Sequence, residues 1–414
     1  MQCLHYNYWL TDALFEKSHH RLTLTDTAFI RSLADRIIWD SRLIGIKGAR
    51  GMGKTTLLLQ YLKQNYGHSD AALYVSLDNM WFADHRLTEL TDNFMKHGGK
   101  HLFLDEVHKY PSWSQEIKNI YDDYPDLHIV FTGSSLLEIL NARADLSRRA
   151  DIYHLEGLSF REYIAMYHGI TIPSYSLDDI LNHHRDISEA VTSHCKPLKF
   201  FDDYLQHGYY PYYAESPQRY SMRLEETVNM VLEIELPLLR GVEHAYIHKL
   251  KQLMQIISQS APFIPNISKL AERTGVSRAT LTSYLKYLEK AALLVSLYKE
   301  AGGMTVLQKP EKIYLENSNL MFVLGIDRVN RGNLRDTFFA NQLKYGHTLR
   351  YSPVADFLVD DKYTFEIGVK TSPNGRFSKL KTPISHQMIL NLALSIGYPC
   401  GCLASCTESV SNYF

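Results

Sequence analysis

Eight consecutive residues constrain this 414-residue chain more than any other feature of it. Gly48, Ala49, Arg50, Gly51, Met52, Gly53, Lys54 and Thr55 satisfy the pattern G-x-x-x-x-G-K-[ST] at every defined position. Their flanks are the ones the pattern requires. Arg42 to Lys47 reads as a short buried strand, and the apolar run from Thr56 to Leu62 reads as a helix. Glycines let the backbone wrap an anion closely, with successive N–H groups facing inward. The helix that follows points the positive end of its dipole at the same place. Residues 48–56, Thr56 included, are therefore expected to cradle nucleotide phosphates. Lys54 would reach the terminal phosphates, and Thr55 would offer its hydroxyl to Mg2+.

The neighbouring sequence supplies a partner for that loop. Ala71 to Ser76, His101 to Leu104 and Leu127 to Thr132 are strand-like, and His85 to Lys96 and Trp113 to Tyr121 are helical. Strands alternating with helices predict an α/β domain around a parallel sheet. The third strand runs into Asp105 and Glu106. At the C-terminal edge of the sheet Asp105 would hold the Mg2+ shell and Glu106 would polarise an attacking water. Thr132 and Ser134 end the fourth strand, where a hydroxyl either contacts the γ-phosphate and orients the water or is an ordinary strand-end residue. Arg148 and Arg149 follow. One of them, Arg149 ahead of Arg148, could stabilise transition-state charge in cis or in trans; surface arginines are also common.

In order and spacing, Gly48–Thr55, Phe103–His108, Phe131–Ser135, Leu146–Arg149 and Leu158–Glu162 resemble AAA+ ATPases of a prokaryotic family. Its members pair an N-terminal AAA domain with a C-terminal domain of unknown function similar to PD-(D/E)xK nucleases. The resemblance spans nearly the whole chain and implies ATP and Mg2+ as ligands, ATP hydrolysis as the activity, and assembly into a homo-oligomer.

Composition narrows the partners. Lys+Arg 44 against Asp+Glu 45 leaves a net charge of −1, which excludes a basic field over the whole surface. Five cysteines do not make a disulfide framework, and the cluster Cys400, Cys402, Cys406 lacks a second ligand pair at metal-site spacing. The start has no secretory pattern, and no apolar run reaches the ~18 residues of a membrane span, so a cytoplasmic protein without membrane contact is expected. The 28 Tyr, 17 Phe and 4 Trp suit several small polar-rimmed cores better than one large core.

A helix-turn-helix is legible further along. Ile267 to Arg273 is a short helix, Thr274 to Val276 a turn, and Ser277 caps a second helix. On that helix Leu281, Tyr284, Leu285 and Leu288 form one apolar face. Arg278, Lys286 and Lys290 lie on the other, with Thr282 and Ser283. Leu293 to Tyr298, the turn Ala301–Gly303 and Met304 to Leu307 would form a hairpin wing. Between Ile264 and Glu300 there are six Lys/Arg against three Asp/Glu. Such a module enters a DNA major groove or serves only for packing.

The last segment has an amphipathic helix, Asn333 to Leu343, and strand-like Ala355–Val359 and Tyr363–Lys370. Asp356 and Lys370 fit a PD-(D/E)xK plan, but Gly368 stands where the second acid belongs. Glu366 shares its strand face yet is displaced by roughly 6–7 Å, and the helix acid is Asp336. A nuclease-like fold with a degenerate site is expected.

The expected architecture is thus an AAA+-like P-loop parallel sheet with a helical lead-in over residues 1–155. A helical lid-like segment follows over 156–246, a winged helix-turn-helix over 247–325, and a small α+β nuclease-like domain over 326–414. The expected function is Mg2+-dependent ATP hydrolysis as a switch controlling DNA engagement by the C-terminal domains. The alternative is an ATP-dependent regulatory or defence-type switch that acts on a partner protein.

Overall fold

The structure, a computed structural model, describes residues 2–134, 146, 148–259, 263–299, 309–325 and 329–367. The chain divides into two units, Met1–Glu156 and Gly157–Phe414. Gly368, Lys370, Ser135, the wing turn with Met304–Leu307, and the three C-terminal cysteines lie outside the described residues. Among the described residues no helix is long and apolar enough to cross a membrane.

The first unit is built on a five-stranded sheet: β1 (Leu43–Lys47), β2 (Ala72–Ser76), β3 (His101–Asp105), β4 (His128–Gly133) and β5 (Asp151–His154). All neighbours are parallel, in the order β2-β3-β4-β1-β5. Leu43, Ile44, Ile46, Leu73, Val75, Leu102, Phe103, Leu104, Ile129 and Phe131 are buried. Both faces are covered, which is why these strands read as continuous apolar runs and not as alternating ones. β5 differs. Its sequence Asp-Ile-Tyr-His is half exposed at the sheet edge, with Ile152 37% exposed, and it gave no such run.

Among the described residues four α-helices accompany the sheet: α1 (Gln2–Leu24), α2 (Lys54–Asn65), α3 (Leu87–Lys96) and α4 (Trp113–Asp123). The helical lead-in requires a correction. The spacing of Phe29, Leu33, Ile37 and Ile38 predicts helix, but α1 stops at Leu24 and only the short 3-10 turn Ser32–Asp35 follows before β1. Tertiary hydrogen bonds hold this stretch out of a helix. Gln60 Nε2 donates to the carbonyls of Asp26 and Phe29 at 2.8 Å each. The buried Arg31 donates to the Met52 carbonyl at 2.8 Å and to the Glu156 carbonyl at 2.9 Å. Leu33 and Ile37 are buried, whereas Ile38 is exposed.

The second unit is mainly helical from Phe160 to Gln259. Hydrogen bonds within it run across residues 246 and 325. Asn319, fully buried, donates to the carbonyls of Tyr204 and Leu205 at 3.1 and 2.7 Å and accepts from the Tyr209 N–H at 2.9 Å. Those two carbonyls belong to the start of the π-helical turn Tyr204–Gly208, and a side-chain amide satisfies them. Buried Glu316 accepts from Lys344 and Tyr345, and Gln342 donates to the Tyr204 hydroxyl at 3.0 Å.

Two helices, Ile267–Thr274 and Arg278–Lys290, are joined at Gly275, whose φ of +64° favours glycine. Ser277 Oγ accepts from the Thr280 N–H, and Leu281, Tyr284, Leu285 and Leu288 are all buried. Leu294–Leu297 pairs antiparallel with Lys312–Leu315, while Met304–Leu307, the expected partner, lies outside the described residues. Ile313, Tyr314 and Leu315, each fully buried, give this strand its anchor.

Candidate active site

The phosphate loop joins β1 to α2. Gly53 caps the helix with φ +87°, and Gly51 has φ +82°, conformations that side-chain-bearing residues rarely adopt. A Cβ on Gly48 would meet the Leu155 carbonyl oxygen at 2.3 Å. Lys54, 4% exposed at the first turn of α2, donates from Nζ to the carbonyls of Gly48 and Ala49 at 2.8 and 2.9 Å. Its ammonium is therefore held over the loop.

The sheet order explains how the other residues reach that loop. β4 lies between β1 and β3, so the C-terminal ends of the three strands bring Thr132 between the loop and Asp105. Asp105, 2% exposed, accepts three hydroxyl hydrogen bonds. Thr55 Oγ1 donates to Oδ2 at 2.6 Å, Tyr74 donates to the same oxygen at 2.8 Å, and Thr132 Oγ1 donates to Oδ1. A serine/threonine hydroxyl beside a carboxylate is a hard-oxygen set of the kind Mg2+ takes. The residues present thus fit a Mg2+-nucleotide: glycine cradle, ammonium, hydroxyl and carboxylate converge.

Glu106 follows in a left-handed conformation, φ +53°, which turns its carboxylate off the line of the strand. Ser134 Oγ donates to Glu106 Oε2 at 2.6 Å, and Thr132 Oγ1 accepts from the Glu106 N–H at 3.4 Å. His108 Nδ1 lies 3.5 Å from the same Glu106 oxygen. Burial, then the charges of Lys109, Lys54 and Arg50, push His108 down to about 4, so its imidazole is neutral at physiological pH.

Lys54, Thr55, Asp105, Glu106, Thr132 and Ser134 are thus brought together, as the sequence pattern expects. Arg149 is not among them. It precedes β5, at the N-terminal end of the parallel strands and so away from the C-terminal ends where the loop and Asp105 lie, and its Nε and Nη2 donate to the two Asp122 oxygens at 3.0 Å each. Sequence reasoning missed Tyr74 and Arg31. Tyr74 lies inside a run expected only to be core, and Arg31 has no signal in a stretch with a helical period.

The C-terminal candidates also meet. Asp356 Oδ1 accepts from Lys312 Nζ at 3.2 Å, and its Oδ2 accepts from the Ile367 N–H at 2.7 Å. Asp336 is 7% exposed. Burial first, then the Asp356 charge, raise its carboxyl to about 8; Arg335 and Lys312 oppose the shift, and Glu366 adds to it. Lys312 was not anticipated, because it lies on a strand assigned to the preceding module. Among the described residues no group of His, Cys, Asp and Glu is placed to hold a metal ion.

The AAA domain family (AAA_14) matches residues 40–164. The segment that matches holds the phosphate loop and most of the parallel sheet, and over it the chain is similar to AAA domains. Residues 198–328 match a domain of unknown function, DUF8612. Uncharacterized protein MJ1637 of Methanocaldococcus jannaschii is 26% identical over 384 residues, covering 86% of this chain and 80% of that one. Among solved structures, the Walker-type ATPase PABY2304 of Pyrococcus abyssi is similar with a TM-score of 0.40 and 12% identity, over 71% of this chain and 94% of that one. AMPPCP-bound DnaA from Aquifex aeolicus has a TM-score of 0.25 and 13% identity, over 62% and 84%.

Proposed function

We propose that the protein binds ATP with Mg2+ and hydrolyses it, and that nucleotide state switches how its second unit engages DNA. The observation that supports this best is the convergence of Thr55 and Thr132 on Asp105 beside the Gly48–Thr55 loop. In this reading the loop N–H groups and Lys54 bind the phosphates. Thr55 and Asp105 hold the metal shell, and Glu106 takes the proton of the attacking water. Ser134 orients the Glu106 carboxylate, and Arg149 serves a neighbouring copy. Mg2+, when bound, neutralises charge on the phosphate oxygens.

The helix Arg278–Lys290, read as the second helix of a winged helix-turn-helix, presents exposed Arg278 and Lys290 with half-buried Lys286 on one side. That side is the proposed DNA contact. The nuclease-like reading of the final segment stays with binding and not cleavage, since Lys312 already occupies Asp356. A second reading, in which a partner protein replaces DNA, draws on the near-neutral net charge of −1.

ATP turnover measured alone, with duplex DNA and with single-stranded DNA tests both. Glu106→Gln is expected to lower turnover by about 10²–10⁴-fold, and Lys54→Ala to abolish nucleotide binding. If both variants hydrolyse ATP like the parent, the assigned site is wrong. DNA binding is expected to weaken steeply with salt. Turnover indifferent to DNA, with no binding at low salt, transfers the second unit to the partner-protein reading.

A further inference from the structure

Tyr74 belongs to β2, at the edge of the sheet opposite β5, and is 4% exposed. Its hydroxyl stands between two charged groups. Arg21 of α1 donates from Nη1 to the Tyr74 oxygen at 2.7 Å, and Tyr74 donates to Asp105 Oδ2 at 2.8 Å. Donor and acceptor roles are set by chemistry. A guanidinium has no acceptor, so the phenol must accept from it and can only pass its own proton toward the carboxylate. Burial and the adjacent Asp105 charge hold that proton on the oxygen by raising the phenol far above its ordinary value. The ring is also seated by α1: the Arg21 guanidinium carbon lies 5.3 Å from the ring centroid, and the buried Ser18 Oγ accepts from the Tyr74 N–H at 3.2 Å.

We infer that Tyr74 is a positioning residue for Asp105, and that Arg21 makes it one, so that α1 sets how well the site uses Mg2+. The inference rests on the proposed ATPase reading and adds to it an element outside the nucleotide motifs. When the Thr55 lone pair serves a cation, its proton still points at Asp105, but the threonine is then bound at two places. Tyr74 is the donor to Oδ2 whose place does not depend on the ligand. It fixes the rotation of the carboxylate in advance, as partners behind a ligating group do in metal sites, where their loss costs about 10–100-fold in affinity.

The test titrates MgCl2 into the full chain with a fluorescent methylanthraniloyl-ATP and compares each curve with binding in EDTA. Tyr74→Phe removes only the hydroxyl. It is expected to raise the Mg2+ concentration for half-maximal binding by about 10-fold, to leave binding in EDTA unchanged, and to recover kcat at saturating Mg2+. Arg21→Met is expected to move the same midpoint by about 3-fold, a fraction of that loss, and to add nothing in the Tyr74→Phe background. A Tyr74→Phe curve that superposes on the parent's overturns the inference while leaving the ATPase reading intact. So does an equal loss in EDTA and in Mg2+, which marks a packing role only. If Tyr74→Phe does not fold, Arg21→Met decides alone, and a superposing curve overturns the inference. If the parent binds the analogue in neither condition, the ATPase reading itself fails.

Discussion

Asp105 in the first unit and Asp336 in the second are the same residue type at similar burial, 2% and 7% exposed. Their surroundings differ. Three hydroxyl donors, from Thr55, Tyr74 and Thr132, converge on Asp105. Burial first, then the charge of Asp356, raise the Asp336 carboxyl to about 8, with Arg335 and Lys312 opposing the shift. Burial is common to both acids, and the hydroxyl donors on Asp105 are what suits it to the cation proposed for it. Where burial is joined by a neighbouring like charge, a carboxyl neutralises itself by taking a proton.

The sharpest way to break this comparison is to remove the charge from each acid in turn. Asp105→Asn is expected to lower ATP turnover by about 100-fold, and Asp336→Asn to leave turnover within about 2-fold, as sites without shared partners do. Equal losses in a steady-state ATPase assay would erase the distinction.

Stability against pH sharpens it next. The Asp336 carboxyl is raised in the folded chain, so the folded state binds more protons than the unfolded one between the ordinary value, about 3.9, and about 8. Stability falls where the unfolded state binds fewer protons. This contribution is therefore complete below about pH 4 and is lost as pH rises through 8. The denaturation midpoint of the second unit is expected to fall from pH 5.5 to pH 9, and Asp336→Asn to flatten that fall. A parent and variant with parallel curves would show that Asp336 holds no proton.

Thr132→Val deprives Asp105 Oδ1 of its hydroxyl while keeping shape. Denaturant titration is expected to show a loss of about 1–3 kcal/mol, the cost of an unmet buried acceptor. The smallest effect belongs to Lys312→Met. Lys312 opposes the Asp336 shift, so its removal should displace the pH midpoint upward, observable by carboxyl NMR. A downward displacement would reverse the assigned electrostatics.

Much of the first unit is legible because its signals are local. The phosphate loop is eight consecutive residues with a strand before and a helix after, and Asp105–Glu106 ends an apolar run. β5 escaped because an exposed edge strand carries no apolar run. The non-helical stretch after Leu24 escaped because Gln60, Met52 and Glu156, distant in sequence, hold it. In the second unit the two helices that meet at Gly275 were readable from Gly275, Ser277 and the spacing of four apolar residues. The pairing of Leu294–Leu297 with Lys312–Leu315 was not, because the loop length between strands has no local mark. Nor was the buried Glu316–Asn319 cluster, whose polarity reads as a solvated turn until its partners are known.

By itself, then, the sequence determined that this chain holds a phosphate loop, and which lysine, hydroxyl and carboxylates belong with it. Those assignments follow from bonded neighbours and short periods. Only the tertiary structure decided that β4 comes between β1 and β3, that Arg149 sits at the N-terminal end of the strands away from the loop, and that Tyr74 and Arg21 stand behind Asp105. Each of these depends on strand order and on contacts across tens of residues. Such contacts are selected by packing of the whole unit, and no stretch of sequence records them.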